Sequence, residues 1–215
     1  MLSVSLTQKV SLFQWFTAGN VIRRNVFESI RMREGFGAEG VHTSVGVYLD
    51  DQGSNFAVYN NSFKDVQSAV LINGGRRNTV KFNTFVNCDL AVFFRDAGEG
   101  CWPDGCGDTQ IFQRMRQMPY ADDTWAVRYP EMTNFAADYP GLPVYTEIVG
   151  NRYCGNGTFM NDCNACGLPD PRSAHGPCPA NESSVVVPCE EKMTRVYLST
   201  VAGNSEDPAL EGCSQ

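Results

Sequence analysis

From Gly46 onward the chain alternates apolar and polar residues in short runs, with Gly, Asn or Asp between the runs. Period-two alternation in runs rich in Val, Ile, Phe and Tyr predicts strands with one buried face. The Gly/Asn/Asp clusters predict tight turns. The pattern also repeats. GVYLDDQGSNFAVYNNSFKDV (residues 46–66) is followed by AVLINGGRRNTVKFNTFVNC (69–88), and Asn61-Ser62-Phe63 recurs as Asn83-Thr84-Phe85 after 22 residues. A third run, Ala91-Val92-Phe93-Phe94, starts 22 residues after Ala69. A tighter signature, x-x-[IV]-x-x-N-x-[FY], is centred on Ile22, Val58, Val80 and Ile148.

A period near 22 is too short for helix-pair repeats and fits one turn of a strand solenoid. The leucine-rich repeat has a similar period, but its Leu pattern is absent. The expected fold is therefore all-β, a right-handed parallel β-helix. One such unit cannot bury its own apolar face, whereas a stack of them can. Asn25, Asn61, Asn83 and Asn151 should stand one above another at a turn, their amides hydrogen-bonded along the stack. Phe27, Phe63, Phe85 and Tyr153 should stack beside them, inside.

The coils are expected over residues 1–153, interrupted at 97–143 by an insertion that breaks the period. Within it, DTQIFQRMRQM (108–118) predicts a short helix with an acidic start, and a second is expected at 130–137. Residues 154–215 are Pro/Gly/Asn-rich, lack the period and predict an irregular tail. Leu2–Gly19 has no basic start and no unbroken apolar core, so it reads as a coil and not as a signal peptide. Met1 then opens in mid-solenoid without the cap that an exposed solenoid end needs, as in a chain truncated at its N-terminus.

A net charge of −7 argues against nucleic acid as a partner. No run approaches the roughly 18 apolar residues of a membrane span. Six of the nine cysteines (Cys154, Cys163, Cys166, Cys178, Cys189 and Cys213) fall after the last recognisable coil. That density predicts a stapled tail and an oxidising, secreted location. Cys101 and Cys106 can close a tight loop, and Cys88 reads as a buried free thiol. Sequons at Asn60, Asn156 and Asn181 agree with secretion. Cys163, Cys166, His175 and Cys178 are ligand types for a tetrahedral zinc site, but the second pair lacks a common finger spacing, and disulfides are preferred.

The segment from Gly46 to Trp102, with its Tyr-Leu-Asp-Asp strand end (48–51) and Gly-Gly-Arg-Arg-Asn turn (74–78), resembles the right-handed β-helix proteins of the pectin-lyase-like superfamily. More narrowly, it is similar to uncharacterised carbohydrate-active members with these two motifs. The resemblance covers roughly residues 19–153 and extends to Arg128–Met132 in the insertion. It implies a polysaccharide lyase or glycoside hydrolase, although the superfamily also holds non-catalytic members and fold alone does not settle activity.

Period two sends Val47, Leu49, Val70, Ile72, Val92 and Phe94 inward. Tyr48, Leu71 and Phe93 then form one outward row, and Asp50, Asn73 and Arg95 a second. Asp51 and Asp96 follow at the strand ends, and the long insertion begins just after Asp96. Aromatic faces, carboxylates and a guanidinium on one surface suit a sugar groove. In a hydrolase, two of Asp50, Asp51 and Asp96 would act as the carboxylate pair. Tyr48, Asn73, Phe93, Arg95, Arg76, His42 and Trp102 would bind the polysaccharide or oligosaccharide. In a lyase, Asp50 and Asp51 could hold calcium, with His42 or Arg76 as base. The hydrolase, needing no cofactor, is preferred because no cluster of three or more acids appears. The competing expectation is a non-catalytic binding or structural β-helix. Asp at a strand end is a turn former, Arg76 and Arg77 can be merely solvated, and Trp102 and Trp125 can cover an apolar edge.

Overall fold

Strands this short are marginal alone and find stability by pairing with the same strand of the next coil. In a computed structural model, which describes residues 19–32, 44–50, 52–95, 119, 122–134, 143–160 and 199–213, they do so throughout. Fourteen strands fall in chain order: β1 (Val21–Arg23), β2 (Val26–Glu28), β3 (Val45–Leu49), β4 (Ala57–Tyr59), β5 (Ser62–Lys64), β6 (Ser68–Asn73), β7 (Thr79–Lys81), β8 (Thr84–Val86), β9 (Leu90–Arg95), β10 (Glu147–Val149), β11 (Arg152–Cys154), β12 (Thr158–Met160), β13 (Thr200–Ala202) and β14 (Ser205–Glu206). Four coils give one strand each in turn to three sheets, and β13 and β14 extend two of them among the described residues, in the orders β1-β4-β7-β10-β13, β2-β5-β8-β11-β14 and β3-β6-β9-β12. Every pairing is parallel. The chain is a parallel β-helix.

Corners, each built on a left-handed residue, join the three faces. The corner between the first and second sheets places Arg24, Asn60, Phe82, Gly150 and Gly203 at positive φ, and the corner leading to the third sheet places Ser29, Asp65, Asn87 and Gly155 there. The third corner uses Asn55, Arg77 and Tyr145, preceded by Gly74 and Gly75 at φ 72° and 80°. Glycine alone meets no steric penalty there. At Gly75 the neighbouring coil comes so close that a Cβ would lie 2.1 Å from the Gly53 carbonyl oxygen.

The asparagine ladder runs one rung further than expected. Asn25, Asn61, Asn83, Asn151 and Asn204 are linked in that order, each of the first four donating its backbone N–H to the next Oδ1 at 2.9–3.0 Å. Each Nδ2 also donates to that oxygen, at 2.8–3.1 Å. In Asn61, Asn83, Asn151 and Asn204 the second Nδ2 proton goes to a carbonyl of the preceding coil, on Ile22, Val58, Val80 and Ile148. Those carbonyls belong to the apolar residues of the repeated signature, so the motif's spacing is the geometry of this bond.

Inside, Phe27, Phe63 and Phe85 stack at 4.6 Å and 5.1 Å. Tyr153, paired in backbone register with Phe85, instead stacks on Phe159 at 4.5 Å, while Phe159 meets Phe85 edge-on at 6.2 Å. Phe63 and Ile148 are 0 % exposed, and burying a side chain of that size stabilises the fold by about 2–3 kcal/mol.

Insertions leave the coils without disturbing them. Gln67 Oε1 accepts the backbone N–H of Met32 and Ser44, at 3.4 and 3.0 Å, and so ties together the chain on either side of a first insertion at 33–43, which lies outside the described residues. In the second, the short helix α1 (Asp123–Arg128) is capped by Asp122, which accepts from the Trp125 N–H at 2.9 Å. Pro130 stops α1, and a 3-10 turn follows at Pro130–Met132. The 3-10 turn falls within the helix expected at 130–137, whose last residues lie outside the described residues. The sequence pattern does not predict α1, and the helix expected at 108–118 lies outside the described residues. The Tyr129 hydroxyl lies against Gly19, where a Cβ would be 2.6 Å away. The insertion, which leaves after β9, thus returns to the start of the first coil.

The solenoid also passes the boundary expected at residue 153. β12, β13 and β14 extend all three sheets, and a disulfide joins Cys154 to Cys213. Cys88 is a buried free thiol, as the sequence suggests. Among the described residues no helix is long and apolar enough to cross a membrane.

Candidate functional site on the third sheet

The backbone pairings of the third sheet bring the residues of the two expected rows into register. Tyr48 pairs with Leu71, and Leu71 with Phe93. Asn73 pairs with Arg95, and Asn73 Nδ2 donates to Asp50 Oδ1 at 2.8 Å. Adjacent rungs in such a stack are about 4.8 Å apart. Tyr48, Asp50, Asn73 and Phe93 are partly exposed, whereas Leu71, flanked by the two aromatic residues, is 5 % exposed. The rows thus offer an aromatic–aliphatic strip beside a polar one. Asp51, Asp96, His42 and Trp102 lie outside the described residues, as do Cys163, Cys166, His175 and Cys178.

Arg76 departs from both expectations. It is 1 % exposed, so it is neither solvated nor presented to a polymer. Its backbone N–H donates to Ser54 Oγ at 3.1 Å, and Ser54 Oγ donates to the Gln52 carbonyl at 2.8 Å. Arg77, by contrast, lies 5.6 Å from the Tyr145 ring centre, a cation–π contact at the corner.

Gln52, which sequence reasoning missed, is a central piece of this corner. It is fully buried at φ 68°. Its Oε1 accepts the Gly75 N–H at 3.0 Å, and its backbone N–H donates to the Asn73 carbonyl. That fixes the amide's orientation and leaves Nε2 without a partner. Asn73 is fixed in the same way by Asp50, leaving its buried Oδ1 unpartnered. Gln52 Nε2 and Asn73 Oδ1 are thus buried polar atoms without a hydrogen-bond partner among the described residues. The only sequence signal was position, since Gln52 follows Asp50-Asp51 directly.

On the insertion, Trp125 and Tyr129 pack at 5.3 Å with a 46° tilt, and both are partly exposed. A separate cleft on the corner leading to the third sheet is lined by Arg31, Asn87, Asp89 and Thr158 among others. Its charges are already paired, because Arg31 Nη1 grips both oxygens of Asp89 at 2.9 and 3.0 Å and Nη2 donates to the Asn87 carbonyl. Among the described residues no group of three or more His, Cys, Asp or Glu side chains could hold a metal ion. No protein-family model, curated protein or solved structure matches the chain.

Proposed function

We propose that this chain is a secreted, carbohydrate-active β-helix protein, a glycoside hydrolase that binds a polysaccharide or oligosaccharide along the outer face of the third sheet. The observation that carries the reading is the pair of stacked rows, Tyr48–Leu71–Phe93 beside Asp50–Asn73–Arg95. The first offers apolar faces to pyranose rings, and the second offers groups that bind hydroxyls. Asn73 orients the Asp50 carboxylate, as a general base or nucleophile requires. Asp51 or Asp96, adjoining the same strand ends in sequence, is the partner acid. No cofactor is needed. The disulfide and the sequons support secretion.

The lyase reading, with calcium as its cofactor, needs Arg76 or His42 as base, and Arg76 is inside the fold. A non-catalytic, carbohydrate-binding role is favoured by one observation. The Asp50–Asn73 bond is also what a turn-forming Asp at a strand end would make. The test is a polysaccharide panel read by released reducing ends, with binding followed by affinity electrophoresis. The hydrolase reading expects turnover on at least one polymer and a fall of about 10²-fold or more in Asp50→Asn at unchanged melting temperature. Retarded migration without turnover leaves the binding role standing and removes the hydrolase. Neither turnover nor retardation on any polymer overturns both.

A further inference from the structure

Two sequons lie among the described residues, Asn60-Asn61-Ser62 and Asn156-Gly157-Thr158. The fold makes no demand for their chemistry. Asn60 and Asn61 are adjacent yet opposite in fate. The Asn61 carboxamide is consumed in the ladder, while Asn60 is exposed at its left-handed corner. Asn tolerates that conformation, but the same rung is filled by Arg24, Phe82, Gly150 and Gly203, so the corner does not require it. Ser62 shares its rung with Val26 and with Thr84, which itself pairs with Arg152, so no hydroxyl is required there either.

Asn156 is odder still. Thr158 pairs with Leu90 and Ser68 with Leu90, which sets Asn156 level with Cys88 and Val66. Both of those are buried, whereas Asn156, Gly157 and Thr158 are exposed. An inward apolar rung has become an outward amide followed, two residues on, by an exposed hydroxyl. Nearby, Cys154 is oxidised with Cys213, the state of a chain that passes through the oxidising compartment where oligosaccharide transfer occurs.

We propose that Asn60 and Asn156 carry N-linked glycans. In the transfer, the side-chain nitrogen forms a bond to the anomeric carbon of an oligosaccharide carried on a lipid pyrophosphate. The anomeric C–O bond breaks, the lipid pyrophosphate leaves with the electron pair, and the displaced N–H proton goes to a base of the transferase. Both sites lie on corners bounding the second sheet. The inference rests on the secretion part of the proposed function and not on its carbohydrate-active part.

The test is to express the full chain in a eukaryotic secretory host and map peptides before and after peptide-N-glycosidase in heavy-oxygen water. Both Asn60 and Asn156 should appear as heavy-labelled Asp. Ser62→Ala should abolish labelling at Asn60 alone, and Thr158→Ala at Asn156 alone. Ser62→Thr should retain it, which guards against loss through misfolding. An unmodified Asn in secreted protein with the Cys154–Cys213 bond formed overturns the assignment for that site.

Discussion

Asn83 Oδ1 accepts both the backbone N–H and the side-chain Nδ2 of Asn61, each at 3.0 Å, while Asn83 repeats the same pair of bonds onto Asn151. Replacing Asn83 therefore removes the acceptor of the Asn61 N–H and the donor to the Val58 carbonyl on one coil, while Asn151 Oδ1 keeps the Asn83 backbone N–H.

Asn83→Ala should destabilise the protein by about 3–5 kcal/mol, since each buried unpaired polar group costs about 1–3 kcal/mol. Asn25→Ala, at the exposed end of the ladder, should cost below about 1 kcal/mol. Denaturant unfolding of the two variants checks the contrast. Equal losses would mean that the ladder contributes no more inside than at its end.

This ladder was legible in the sequence because one side chain does all the bonding at a fixed distance from its apolar partner. Asn204 escaped notice because Glu206 stands where the other rungs carry Phe or Tyr, although Val201 and Asn204 keep the spacing. The rows Tyr48–Leu71–Phe93 and Asp50–Asn73–Arg95 were also legible, since period two fixes which residues share a face. Burial at the corners was not. Gln52 and Arg76 stand in polar, Gly-containing stretches that read as solvated loops, yet neighbouring coils pack over both. Nothing local in a sequence reports that kind of cover. Tyr153 left the expected stack because Phe159, a residue outside the signature, supplies a ring to meet it.

Two glycines should respond differently to alanine. A Cβ on Gly157 would lie 1.7 Å from the Cys88 carbonyl oxygen, which is backbone and cannot step aside. Gly157→Ala should cost roughly 3 kcal/mol through displaced coils. Gly203 sits at φ 63°, with its nearest neighbour 3.8 Å from the added carbon. There Ala meets only the left-handed penalty of about 1–2 kcal/mol. Thermal melts of both variants, with Gly157 the worse, would bear this out.

Cys88 should make stability fall at alkaline pH. Burial raises its thiol pKa from 9.0 to about 11, against smaller lowering contributions from the Val66 and Val86 backbone and Arg31. The folded pKa is the higher one, so the stabilisation is complete below the unfolded value and is lost as pH climbs through the folded value. Between about pH 9 and 11 the wild type should lose on the order of 2–3 kcal/mol more than Cys88→Ala does. Parallel denaturant titrations at stepped pH would detect the difference, and parallel slopes would contradict it. Below pH 9 the native thiol should also resist alkylation, since the thiolate is the reactive form.

The Cys154–Cys213 bond should matter most to the final coil. It ties the end of β11 to the turn after β14 across a separation of 59 residues. Closing a loop of that size removes about 4 kcal/mol of unfolded-chain entropy in the simplest model. Beside the bond, the final strands are held by the Asn204 rung, the pairing of β13 with β10 and the exposed Arg152–Asp207 pair. Thr200, Ala202, Ser205 and Glu206 are exposed, and β14 pairs with β11 through Ser205 and Glu206 alone. Earlier coils are held by the buried ladder and the phenylalanine stack, which do not involve the bond. Cys213→Ser, or mild reduction, should therefore release protection from hydrogen exchange in β13 and β14 while β4 to β9 stay protected. Uniform loss across all coils would instead show that the solenoid unfolds as one cooperative unit, with the disulfide holding the whole stack.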